Sequence, residues 1–159
     1  MQTTMKRYIL LFMLLLASHT SYAELPQIVA LGKEAAKQPH VEHGSVGSFM
    51  LSMAATFAEK EQRATFKMLS NIEMIECKNR VYAPTLLTRT MHIVDEVGAL
   101  FIGSEDDGTA LSELYGISDG EVIKELIIIV NSHLGDISIV AMSGAIPHSR
   151  LGEIKNIKR

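Results

Sequence analysis

A chain of 159 residues with 15 lysines and arginines against 18 aspartates and glutamates carries a net charge of −3, which argues against the clustered basic surface that binding to nucleic acid or to an anionic membrane demands. Its length accommodates one ordinary hydrophobic core and not two. Cys77 is the single cysteine, so no intramolecular disulfide can form and packing alone must hold the fold.

The first 23 residues read as a secretory signal peptide. Lys6 and Arg7 form a basic start, Tyr8 to Ala17 an apolar run of ten, and Ser21-Tyr22-Ala23 a small-x-small cleavage pattern. Ten apolar residues fall well short of the roughly 20 that span a bilayer, so the expectation is cleavage after Ala23 and no stable membrane anchor. Loss of Lys6 and Arg7 takes the net charge from −3 to −5. Glu24 stands where a lipoprotein would place a cysteine, and Asn71, Asn79, Asn131 and Asn156 all lack the glycosylation tripeptide. A bacterial periplasmic location is the compartment these features favour.

Residues 24–44 read as a lead-in, a short amphipathic stretch with Leu25, Ile28, Val29 and Leu31 followed by a polar break containing Pro39 and Gly44. The expectation is a loosely docked segment, with one α+β domain over 45–159. Ser45 to Ser52 predicts a first strand, and Met53 to Leu69 a helix with Met53, Phe57, Ala64 and Met68 on its inner side. Ile72 to Cys77 alternates as a half-buried strand. Pro84 suits the first turn of a second helix that stops at Gly98, with Leu87, Met91 and Val94 on one stripe. From Ala99 the period changes to that of strands: Ala99–Ser104, Thr109–Ile117, Val122–Val130 and Ile137–Ala145, separated by Asp-Gly and other turn signals. The third, containing Glu125 to Val130, is apolar at consecutive positions and is expected at the centre of the sheet. Leu151, Ile154 and Ile157 suggest a terminal helix. The order βαβα followed by a four-stranded meander predicts an α+β fold, a mainly antiparallel sheet with helices packed on one face.

Asp106-Asp107-Gly108, the run Gly120 to Val130, Ile139 to Ile146 and Leu151-Gly152-Glu153-Ile154 together resemble the bacterial domain-of-unknown-function family 4252, as does Val46 to Met53 more weakly. The resemblance covers about residues 45–155. It implies the same fold and a small exported protein, and it supplies no site, because it lies in strand and turn patterning.

Candidate chemistry is sparse. His40, Glu42 and His43 are the densest set of potential metal ligands, weighed against a solvated linker. Glu105, Asp106 and Asp107 lack the alternating oxygen ligands of a calcium loop and read as an acidic hairpin tip. Cys77 would need a lowered pKa to act as a nucleophile and reads as packing. His133 and His148 fall in turns. Gly44-Ser45-Val46-Gly47-Ser48 lacks the lysine of a phosphate loop, and no nucleophile elbow or zinc-protease motif is present. Met50, Met53, Met68, Met74, Met91 and Met142 read mainly as core, with an adaptable binding surface as the competing reading. The sequence therefore assigns no catalytic, cofactor-binding or metal-ligating residue. The expectation is a non-catalytic domain of the cell envelope that contacts another envelope protein, or itself, through a sheet edge, for which Ala99–Ser104 and Ile137–Ala145 are the candidate outer strands. The alternative is a carrier of a small apolar ligand, with a metal-binding protein or an enzyme behind it.

Overall fold

The computed structural model describes residues 25–151. The signal segment, its cleavage at Ala23 and the terminal helix expected around Ile154 and Ile157 lie outside the described residues. Helix α1 spans Pro26–Ala35 and leads into strand β1, Val41–Gly47. Helices α2 (Ser48–Phe57) and α3 (Lys60–Met68) follow, then β2 (Leu69–Cys77) and α4 (Ala83–Glu96). The meander β3 (Leu100–Asp106), β4 (Ala110–Asp119), β5 (Val122–Ser132) and β6 (Ile137–Pro147) completes the sheet, with a short 3-10 turn at His148–Arg150.

All six strands form one antiparallel sheet in the order β1-β2-β6-β5-β4-β3. The fold is α+β, and the four-stranded meander forms as its turn signals predict. At Gly120 the chain needs a positive φ of 63° to pass from Asp119 to Val122, which are paired across a two-residue turn. Gly98, at φ 72°, ends α4 in the same conformation.

Strand β5 is central and covered on both sides. Ile127 and Ile129 enter a core with Ile75, Ile139, Leu86, Val94 and Ile28, while Leu126 and Ile128 enter another with Leu51, Leu114, Met142 and Ile146. Successive strand residues face opposite sides, so the two cores lie on opposite faces of the sheet. Helices α1 and α4 therefore cover one face, and α2 and α3 the other. The expectation of helices on one face gives way to a pair on each.

The N-terminal reading is also corrected. The described part of the expected lead-in, 25–44, is not loosely docked: Ile28, Leu31 and Ala35 are almost wholly buried, and β1 pairs with β2 along its whole length. A bidentate Arg89–Glu34 contact, at 3.0 and 2.7 Å, ties α1 to α4. The first strand starts at Val41 and ends at Gly47, and Ser48–Ser52 belongs to α2. The helix expected over Met53–Leu69 is two helices, broken where Ala58 and Glu59 are extended, with ψ of 155° and 156°. No glycine or proline marks that break. Arg63 stabilises it by donating Nε to the Ala55 carbonyl and Nη2 to that of Ala58, at 3.1 and 3.3 Å.

Because Ile28 is fully buried beneath α4 and beside β2, Ile28→Asp is expected to unfold the domain. An unpaired buried carboxylate costs several kcal/mol, comparable to a typical total stability of about 5–15 kcal/mol. Thermal unfolding checks this, and an unchanged melting temperature would restore α1 to the status of a dispensable lead-in.

Candidate functional site

The alternation of β2 sets the chemistry of the α1–α4 face. Asn71, Glu73, Ile75 and Cys77 all point toward it, and all four are buried. Glu73 lies opposite Ser45 on β1 and Ala141 on β6; Asn71 lies opposite Gly47 and Ser143; Ser143 lies opposite Glu125 on β5. A polar band thus crosses four strands at one end of an otherwise apolar face.

Its centre is the Glu73 carboxylate. Ser45 Oγ donates to Oε1 at 2.6 Å, Asn71 Nδ2 donates to the same oxygen at 3.1 Å, and His43 Nε2 donates to Oε2 at 2.8 Å. Burial pushes the Glu73 carboxyl up, but these three donors outweigh it and hold the group below the usual carboxylate range. Beside it, Ser143 Oγ donates to Glu125 Oε2 at 2.6 Å. Helix α1 crosses directly over the His43 ring at Gly32, where a Cβ would overlap the imidazole.

Serine, histidine and carboxylate together suggest acyl-transfer machinery, but the connectivity is wrong for it. A nucleophile is activated when its own proton is held by the base. Here Ser45 and His43 both donate to Glu73, one to each oxygen, so the carboxylate separates them. The cluster acts as a clamp that joins the edge strand β1 to β2 and seats α1. Sequence reasoning passed over Glu73 and Asn71 because both parities of Ile72 to Cys77 contain apolar residues, so the alternation alone did not say which side faces inward. The signal was their shared parity with Ile75 and Cys77.

The groups singled out from sequence are placed apart. His40 occupies a turn at φ 60° and is exposed, while Glu42 and His43 are successive strand residues on opposite faces. The three do not converge, and no cluster of three metal-ligating side chains occurs among the described residues. Asp106 Oδ1 accepts the Gly108 N–H at 2.9 Å and meets His133 Nε2 at 3.1 Å. Asp107 Oδ1 accepts the Thr109 N–H, its hydroxyl and the Ala110 N–H, at 2.7 to 2.9 Å. These carboxylates fold the β3–β4 tip and join it to the β5–β6 turn. His148 lies 3.4 Å from the Ser118 hydroxyl. Cys77 is fully buried with Sγ 3.4 Å from the Asn79 carbonyl, and burial raises its pKa, opposite to what a reactive thiolate requires. Of the six methionines Met142 is core and Met91 packs, partly buried, against the core on the other face; Met50, Met53 and Met74 are exposed, so those three line the surface and not an interior cavity.

The outer strands are β1 and β3. Ile137–Ala145, expected as a candidate edge, is β6 and lies between β2 and β5. The two edges differ in character. On β1, Glu42, Gly44, Ser45 and Gly47 are the exposed residues. On β3, Leu100, Phe101 and Ile102 are 74%, 58% and 38% exposed. Phe101 stacks edge-on against Tyr115 at 5.6 Å, and Ile102 fills the space above Gly116, where a Cβ would come within 2.7 Å of its Cδ1. Among the described residues no strand pairs with the outer side of β3.

The Glu73 clamp yields a prediction with a defined sign. A carboxyl held below its unfolded pKa contributes stability above that value and loses it as pH falls through the folded pKa. Glu34, lowered chiefly by Arg89, and Asp106, lowered chiefly by the Gly108 N–H, act in the same direction. Stability is therefore expected to fall below about pH 4. Glu73→Ala, which strands three donors, is expected to cost about 3–5 kcal/mol at neutral pH and to flatten the acid limb. Urea unfolding across pH measures both.

The sequence model of a family described as a domain of unknown function (DUF4252) matches residues 34–154. No curated protein and no solved structure matches the chain.

Proposed function

Because the chain belongs to the DUF4252 family, whose description assigns no activity, we propose a function from the fold itself: a non-catalytic domain of the cell envelope that works by protein contact, accepting an extended segment of a partner along β3. One observation carries this reading. Leu100, Phe101 and Ile102 are consecutive, apolar and exposed on an outer strand. Such an edge offers backbone donors and acceptors for strand addition and side chains that grip the added strand from both faces. The acidic Glu105 and Asp106 at the far end of β3 limit the adhesive part to its first half. Edge β1 lacks this character, being polar where it is exposed and clamped where it is not.

The partner is another envelope protein or a second copy of the chain. Export through the signal segment, with cleavage after Ala23, places the domain in the periplasm in this reading. The non-catalytic assignment is supported by the buried Cys77 and by a carboxylate whose donors are all committed to the fold.

Leu100→Lys tests the edge. The side chain is 74% exposed, so a surface effect within about 0.5 kcal/mol is expected on stability, while a charge on the edge opposes strand addition. Loss of partner capture or self-association in cross-linked envelopes, with the melting temperature preserved, is the expected result. Wild-type behaviour from this variant would refute the edge reading. Export is checked separately: intact mass of the envelope protein should correspond to a chain beginning at Glu24, and Ala23→Phe should block processing because the cleavage site takes small residues.

A further inference from the structure

We propose that the outer surface of the α2–α3 layer seats the domain on an anionic lipid bilayer. Helix α2 contains no charged residue in its ten positions. It buries Leu51 and Ala55 toward the sheet, yet it also exposes Phe49 (75%), Met50, Met53 and Phe57 (85%). At 100° per residue these four fall on one stripe opposite the buried pair, pointing straight away from the sheet. A helix that is apolar on nearly every side belongs in an apolar environment.

The neighbouring helix says which environment. In α3, Thr65 is buried, and Lys60 and Lys67, two turns apart, project on the opposite side, while Arg63 between them turns back onto the Ala55 and Ala58 carbonyls. Both helices lie on the same face of the sheet, so the apolar stripe and the cationic row share one outer surface. Neither lysine makes an ion pair among the described residues. With Glu59 and Glu61 counted, residues 48–68 carry a net +1 in a chain whose net charge is −3. Aromatic and aliphatic anchors beside a basic row are the pattern of interfacial binding to anionic lipid, in which rings enter the headgroup boundary and cations meet phosphates. A second copy fits this surface poorly. Stripe-to-stripe docking either brings two cationic rows together or buries one against the apolar stripe, and both are unfavourable.

The test is co-sedimentation with vesicles of phosphatidylethanolamine and phosphatidylglycerol, against vesicles of phosphatidylcholine alone. Tyr8 to Ala17 would bind lipid unaided, so parent and variants are compared with the same N-terminus, verified by intact mass. Binding to the phosphatidylglycerol vesicles is expected, weakening as salt rises. Phe49→Ser with Phe57→Ser should reduce it about tenfold or more. Lys60→Gln with Lys67→Gln should also reduce it about tenfold or more on anionic vesicles, with little change on phosphatidylcholine. Leu100→Lys should leave vesicle binding unchanged, which separates this surface from the β3 edge. Vesicle binding that persists in the double phenylalanine variant would overturn the proposal. So would the absence of vesicle binding, whether the stripe then proves to hold a dimer dissolved by the same variant in sedimentation velocity or a protein partner.

Discussion

The fold depends on a sheet whose middle strands are apolar on both faces. Leu126 and Ile128 point one way and Ile127 and Ile129 the other, and β6 continues both surfaces with Ile139 and Met142. A sheet of this kind cannot leave either side to water, since each exposed Ile or Leu forfeits about 1.5–3 kcal/mol of burial. Two helical layers follow from that requirement. Residues 26–35 and 83–96 supply one, and 48–68 the other. The chain order is also intelligible: β1 and β2 join the meander only at β6, so the helices between them are free to lie on either face.

The meander was legible because its signals are local. Period-two alternation, Asp-Gly turns and the run around Ile127 place four strands without long-range information. The first sixty residues were harder for the opposite reason. Nothing local shows that the polar segment His43-Gly44-Ser45 is a strand, since its hydrogen-bonding capacity is met by a glutamate 28 to 30 residues away. Nor does local pattern show that Leu25, Ile28 and Leu31 have a partner, because that partner is α4. The Ala58–Glu59 break lacks the glycine or proline that usually announces one, and without it Met53 and Phe57 were assigned to the core when they face solvent. Glu73 was hidden by a tie in β2, where both parities contain apolar residues and only tertiary packing chooses between them.

The two exposed apolar features sit apart. The β3 edge is at one end of the strand order, and the α2–α3 layer packs chiefly on strands from the other half. A domain resting on a surface through the helices would hold its free strand away from that surface, open to a partner. The polar β1 edge has no comparable use, and its clamp to Glu73 keeps it paired inward.

The complete burial of Cys77 makes its thiol a reporter of the whole fold. A reagent that alkylates thiols can reach Sγ only when β2 opens, so the labelling rate reads the population of opened molecules directly. In an oxidising compartment the same opening carries a further consequence. Two chains unfolded at the same moment can be joined covalently through their only cysteines, and neither can then refold with that sulfur returned to its place. In such a compartment unfolding of this domain would become irreversible by chemistry even where aggregation is absent, and its lifetime would then follow the rate of opening as much as its equilibrium stability.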